Sequence, residues 1–335
     1  MKIDQSCFLL DYTKVSATKL RSLKREAINF LHKNKFIYQK KHFEKAWQYL
    51  INNNRPFLTM PIVIDDKEYY IKIQVNKDNK YNILLVNEIR SYQLLGNLLN
   101  NKIEFMRLPE LFKINLNSNK GYSYLIRESI KSKVFKKGHF FQDNKIDLKK
   151  IVISLKNINS YSSEKFILPK DYYINQFPSD GTLVNILDKA NYYFQYQPLI
   201  FQNKVNFDKI KKIYQKAFKN PLPQPSLIHQ DFNPNNILYN NKDIYLIDWE
   251  KIYLGSIWYD IACLYVYLVE KPNFQKKCLN IIIKEFGKTY VNRYYELWFM
   301  IIFQYLQIGY GGRIDPKIMS VRINKIFDLL KLGIK

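Results

Sequence analysis

No glycine occurs before Gly96, and the chain of 335 residues has only ten. Glycine supplies the positive-φ, close-approach backbone from which phosphate-cradling loops are built, so a glycine-rich loop is excluded from the N-terminal quarter. Cysteine is also scarce. Cys7, Cys263 and Cys278 form no CxxC pair, which excludes a disulfide framework. A reducing cytosol is the simplest setting, and a cytoplasmic location is expected. No stretch approaches the roughly 18 apolar residues of a membrane span. The opening MKIDQSCFLLDYTKV carries acids and lacks the apolar core of a signal peptide.

Acidic residues are few, 29 against 53 Lys and Arg, which leaves a net charge of +24. Such a balance alone would point to nucleic acid or an anionic surface. The distribution argues otherwise: the basic residues are mostly Lys and scatter as pairs such as Lys40-Lys41, Lys149-Lys150 and Lys211-Lys212. They accompany a surplus of Asn, Ile, Tyr and Phe, the signature of an AT-rich coding sequence. A nucleic-acid partner is therefore not expected.

A chain of this length, 47% hydrophobic, has material for two lobes. Residues 16–33 place Leu20, Leu23, Ala27, Phe30 and Leu31 at helical spacing behind Ser16 or Thr18 as N-cap. FLTMPIVI and EYYIKIQV flank Asp65-Asp66-Lys67 and read as a hairpin. Helical period returns over 84–99, and 121–130 reads as a strand. Beyond residue 145 strands nearly vanish; 147–158, 206–218, 258–269 and 292–308 are helical in pattern. The breaker-rich 220–225 leads into SLIHQDFNPNNILY (226–239). The expected class is α+β with two lobes: a helical extension over 1–52, a small β-containing N-lobe over 53–128, and a larger, mainly helical C-lobe over 129–335.

His229, Asp231 and Asn236 stand in the spacing H-x-D-x-x-x-x-N, and Asp248 follows twelve residues later in LIDWE. Phosphoryl transfer asks little covalent help of a protein. It needs a carboxylate aimed at the attacking hydroxyl and hard oxygen ligands for Mg²⁺ on the nucleotide phosphates. In that scheme Asp231 is the base, with Asn236 and Asp248 as metal ligands. Two β-like runs around residues 240–243 would carry Asn236 and Asp248 to one end of a single ribbon.

LIHQDFNPNNIL with YLIDWEKIYLGSIWYDIACLY resembles the aminoglycoside phosphotransferase and choline kinase superfamily, whose members share the protein-kinase-like fold. The IDWE form looks most like the bacterial choline and thiamine kinase branches. The resemblance implies ATP and Mg²⁺ as cofactors, catalytic roles for Asp231 and, in support of the loop, His229, and metal ligation by Asn236 and Asp248. It also implies that Asp260 in WYDIA braces the catalytic loop. In the N-lobe, Lys72 resembles the phosphate-contacting lysine, Glu88 its helix partner, and Glu128 a residue of the linker whose backbone binds adenine. The acceptor would be a small hydroxylated molecule, a choline-, ethanolamine- or thiamine-like alcohol or an aminoglycoside-like antibiotic. Glu250 and Trp249 are its expected contacts, with Trp258, Tyr259, Tyr305 and Tyr310 also available for cation–π contact.

The family covers the phosphates with a loop rich in Gly, Ser or Asn ahead of the lysine strand. Here the candidate is Ile51 to Arg55, where asparagines could adopt left-handed turns. The alternative reading is a catalytically degenerate kinase fold acting as a binding or assembly protein.

Overall fold

The computed structural model describes residues 14–52, 55, 57–75, 82–101, 105–116, 122–131, 147–160, 183, 185–197, 199–219, 224–240, 243–309, 321 and 324–326. Two helices come first among the described residues. α1 (Ala17–Lys33) is capped by the Ser16 hydroxyl, which accepts from Lys19 N at 3.2 Å. Its Leu23, Ala27 and Leu31 point inward at the spacing of one helical stripe. α2 (Lys40–Asn52) does the same with Phe43, Trp47 and Leu50. The i, i+4, i+7 pattern of α2 was present in the sequence, but aromatic and Asn neighbours blurred it.

β1 (Phe57–Ile64) and β2 (Lys67–Gln74) form the expected hairpin. Its two turn residues, Asp65 and Asp66, have φ of 47° and 61°, the handedness that matches strand twist in a two-residue turn. After α3 (Asn82–Asn101) come β3 (Met106–Arg107), β4 (Leu111–Asn115) and β5 (Tyr124–Glu128). The N-lobe sheet runs β1-β2-β5-β4, all antiparallel. Leu58, Met60, Ile71, Ile73 and Ile126 bury one face against α1 and α2. The helices of 17–52 thus share a core with the sheet. The opposite face carries Phe57, Lys72 and Leu125, and α3 packs there through Leu85 and Ile89.

The remaining helices are α4 (Leu148–Asn159), α5 (Ile186–Gln195), α6 (Leu199–Lys204), α7 (Phe207–Ala217), α8 (Tyr259–Tyr267), α9 (Pro272–Phe286), α10 (Lys288–Asn292) and α11 (Tyr294–Gly309). They enclose one large core in which Trp249, Trp258, Phe299 and Phe303 are wholly buried. Between the lobes, β6 (Ser226–Ile228) pairs with β9 (Tyr253–Gly255), and β7 (Ile237–Asn240) with β8 (Asp243–Leu246). β3 adds to β8 in parallel, so the chain between α3 and β4 is stitched to the β7–β8 ribbon. No helix among the described residues is long and apolar enough to cross a membrane.

Because Phe43 is anchored between α2 and the sheet, Phe43→Ala should cost about 3–5 kcal/mol, the usual range for a buried aromatic. Urea unfolding is the measurement. A loss below about 1 kcal/mol would show that α2 is an appendage, not part of the lobe.

Candidate active site

The Lys72 side chain stands on β2 and faces the cleft between the lobes. Its ammonium lies 2.6 Å from Glu88 Oε2, 2.8 Å from Glu250 Oε2 and 3.2 Å from Asp248 Oδ1. An ammonium has three donors, and here each meets a carboxylate. The Phe57 ring completes the enclosure at 4.7 Å. Burial alone would drive the Lys72 pKa down, but Asp248, Glu250 and Glu88 together hold it well above its ordinary value. Glu88 is pushed up to about 7 by burial, against the pull of Lys72. Burial would also raise Asp248, yet Lys72 holds it below the usual carboxylate range.

The catalytic loop is built on backbone bonds. Asp260, wholly buried at the start of α8, accepts from His229 N at 2.7 Å and from Gln230 N at 3.1 Å. Those bonds hold Gln230 at φ 70°, a conformation that costs a residue with a side chain. The expected brace is therefore present in geometry. His229 is 0% exposed. Its Nε2 lies 2.9 Å from the Ile247 carbonyl, which only accepts, and its Nδ1 takes the Asp231 N–H at 3.2 Å. Both contacts fix the neutral Nε2–H tautomer. The ring thus positions the loop through its backbone.

Asp231 projects from the loop, with Oδ1 accepting from Asn233 Nδ2 at 3.1 Å and Oδ2 3.4 Å from Lys251 Nζ. Asn236 donates its amide N–H to the Asp231 carbonyl at 2.8 Å, which leaves its Oδ1 as the group available to a cation. Ile247 N donates to Asn236 O at 2.9 Å, tying the two ligand-bearing segments together. Asp248 follows in the left-handed region, φ 63°. The next residues, Trp249–Lys251, make a single 3₁₀ turn that packs on α3. There the Ser91 hydroxyl lies 2.9 Å from the Trp249 carbonyl.

Lys72, Glu88 and Asp248, expected to work together, are brought together. Glu250, expected at the acceptor, joins them on the Lys72 side. The ligand oxygens of Glu88, Asp248 and Glu250 all lie within 4.8 Å of one another. Trp249, also expected at the acceptor, is 0% exposed, donates its indole N–H to Leu246 O at 2.8 Å and packs edge-on to His229. Trp258, Tyr259 and Tyr305 are buried in the core as well, while Tyr310 lies outside the described residues. The side chain of Glu128 accepts from Glu110 N at 3.3 Å, and its own backbone N–H donates to the Glu110 carbonyl at 2.8 Å. Of the expected phosphate loop, Asn53 and Asn54 lie outside the described residues; Ile51 and Asn52 end α2. Lys251 and Arg127 were not anticipated, because only the folded turn and sheet show where they point. Placement of Lys251 three residues after Asp248 was the one available signal.

The Phosphotransferase enzyme family profile matches residues 185–294, the stretch that carries the catalytic loop. A search of curated protein sequences gives no significant match. Among solved structures, the chain is similar to aminoglycoside phosphotransferase APH(4)-Ia, with a TM-score of 0.56 at 13% identity, covering 84% of this chain and 91% of that one. A thermostable mutant of the same enzyme, in ternary complex with ADP and hygromycin B, gives 0.53 at 13% identity over 84% and 92%. A second such mutant, with AMP-PNP and hygromycin B, gives 0.56 at 12% over 89% and 93%. The expected resemblance to the aminoglycoside phosphotransferase and choline kinase superfamily is borne out, as is the protein-kinase-like fold.

The enclosed His229 should titrate far below a free imidazole. Burial, the largest influence, lowers it to about 4 against the pull of Asp231 and the Ile247 carbonyl. A depressed pKa contributes stability that is complete above the unfolded value near 6.5 and lost as the pH falls toward 4, on the order of 3 kcal/mol. Imidazole ¹⁵N NMR should report a neutral Nε2–H ring down to about pH 5. A midpoint near 6.5 would contradict the enclosure.

Proposed function

We propose that the chain moves the γ-phosphoryl group of a nucleoside triphosphate, ATP by resemblance, onto a hydroxyl of a small molecule. The observation that carries this is the convergence of Asp231, Asn236, Asp248 and Lys72 on one cleft. Asp231 accepts the proton of the acceptor hydroxyl, whose oxygen then bonds to the γ-phosphorus. The bridging P–O bond breaks and the nucleoside diphosphate leaves. Lys251 Nζ lies 3.4 Å from Asp231 Oδ2 and brings a cation beside that carboxylate. His229 and Asp260 position the loop.

Asn236, Asp248 and Glu250 offer the hard oxygen donors that Mg²⁺ prefers, so the residues present fit the ion. When bound, it would neutralise charge on the β- and γ-phosphate oxygens. The complete residue set favours catalysis over a binding-only kinase fold. With Trp249, Trp258, Tyr259 and Tyr305 enclosed, the aromatic argument for a choline-like acceptor falls away, and the acceptor class rests on chemistry: a hydroxyl within reach of Asp231. The neighbouring structures that hold hygromycin B with a nucleotide are consistent with an aminoglycoside-like acceptor.

Consumption of Mg-ATP and Mg-GTP, screened over choline, ethanolamine, thiamine, aminoglycosides, macrolides and sugars, tests the proposal. Asp231→Asn should lower kcat on the order of 10²- to 10⁴-fold while leaving nucleotide affinity within a few-fold. No turnover with any acceptor, together with no Mg-nucleotide thermal shift, would sink it.

Three carboxylates facing one ammonium also make the cleft repel a bare triphosphate. Calorimetry should find nucleotide binding weaker by at least about tenfold without Mg²⁺, and Glu250→Gln should narrow that gap by freeing a Lys72 donor. Equal affinity with and without the ion in the wild type would contradict the clamp.

A further inference from the structure

Arg127 lies on the cleft face of the N-lobe sheet, two residues along β5 from Leu125, the cross-strand neighbour of Lys72. That is about 7 Å farther down the strand. Its side chain is buried, at 6% exposed, yet among the described residues no carboxylate pairs with it. The guanidinium stacks over the Tyr70 ring at 4.9 Å and makes one long bond, 3.4 Å, to the Glu128 carbonyl. On α3, which packs against the same face of the sheet, the Tyr92 hydroxyl, in a residue 4% exposed, has no hydrogen-bond partner among the described residues. The charge of Arg127 is felt at both ends of this face: it pulls the Tyr92 hydroxyl down against burial and helps to lower Asp248.

A guanidinium carries five donors, cannot accept, and does not give up its proton. Buried with one weak bond, it calls for acceptor atoms. Its place is on the strand beside that of Lys72, opposite Tyr70 and one residue before β5 ends at Glu128.

We propose that Arg127 selects the nucleobase, and that the donor taken by this cleft is a 6-oxopurine triphosphate, of guanine or hypoxanthine type, in preference to ATP. The inference rests on the kinase reading above. Oxygen at position 6 and N7 present two adjacent acceptors to a guanidinium. A 6-amino group presents a donor to a donor. The Glu128 carbonyl, the backbone acceptor that such an amino group could otherwise use, is covered by Arg127 itself.

Displacement of a fluorescent purine nucleotide from the full chain in Mg²⁺ tests this with GTP, ITP and ATP. ITP shares the 6-oxo group of GTP and lacks its 2-amino group, so it isolates the position that Arg127 reads. GTP and ITP should both bind about tenfold or more tightly than ATP. Arg127→Gln, whose amide can donate or accept, should bring the three within a few-fold, and Arg127→Lys should keep part of the preference. ATP binding as tightly as ITP in the wild type overturns the inference alone and needs no variant. Failure of every purine triphosphate to bind overturns the kinase reading along with it.

Discussion

One buried ammonium holds the cleft together. Lys72 reaches from the N-lobe sheet to Glu88 on α3 and to Asp248 and Glu250 on the turn after β8, so three separate segments of chain are fixed by a single charge. A lysine without partners at this depth would be expelled or neutralised, since an unpaired buried charge costs several kcal/mol. Three carboxylates reverse that cost and create a second one, their mutual repulsion. Glu88, the most enclosed of the three, absorbs it: burial and the other two acids push it up to about 7. Asp248, half-exposed toward the cleft, stays ionised. The cluster thus pushes the two acids in opposite directions by environment alone.

The catalytic loop solves a different problem, holding two residues in unfavourable backbone conformations. Gln230 and Asp248 both sit at positive φ without being glycine, at a cost of about 1–3 kcal/mol each. Each is over-determined by neighbours. Asp260 takes the N–H groups of His229 and Gln230, and His229 spans Asp231 N–H and the Ile247 carbonyl. Ile247 N is in turn bonded to Asn236 O. The strained pair therefore flanks the residues that must face the cleft. Ser91 and α3 carry the same turn back to Glu88, so the loop and the Lys72 cluster are two ends of one rigid connection.

Much of this was legible in the sequence. The 57–74 hairpin, the helix bearing Glu88 and the β7–β8 ribbon follow from period and turn residues, and the H-x-D-x-x-x-x-N spacing with LIDWE twelve residues on names Asp231, Asn236 and Asp248 because the proposed chemistry needs those donors close together. What stayed hidden was direction. Glu250 is two residues past Asp248, but the 3₁₀ turn swings it back to Lys72, away from the acceptor side. Trp249 between them goes into the core. Arg127 alternates with Ile126 on one strand, and which of the two faces the cleft depends on register with β2. The β3–β8 pairing joins residues more than 130 positions apart, beyond any local pattern.

The charge of the chain and the charge of the cleft have opposite tasks. A net +24 draws a polyanionic nucleotide toward the molecule at long range, where field strength depends on totals and is weakened by salt. At contact, Glu88, Asp231, Asp248 and Glu250 outnumber Lys72, Lys251 and Arg127, and the site is locally acidic. The nucleotide donor proposed above would enter such a cleft best in company with a divalent ion. That division also bears on the missing glycines. With no glycine before Gly96, the donor proposed above would draw its positive charge from the lysine and a carboxylate-held cation, and the cluster around Lys72 offers ligands for it. Scarce glycine and abundant cleft carboxylate are in this sense two aspects of one solution.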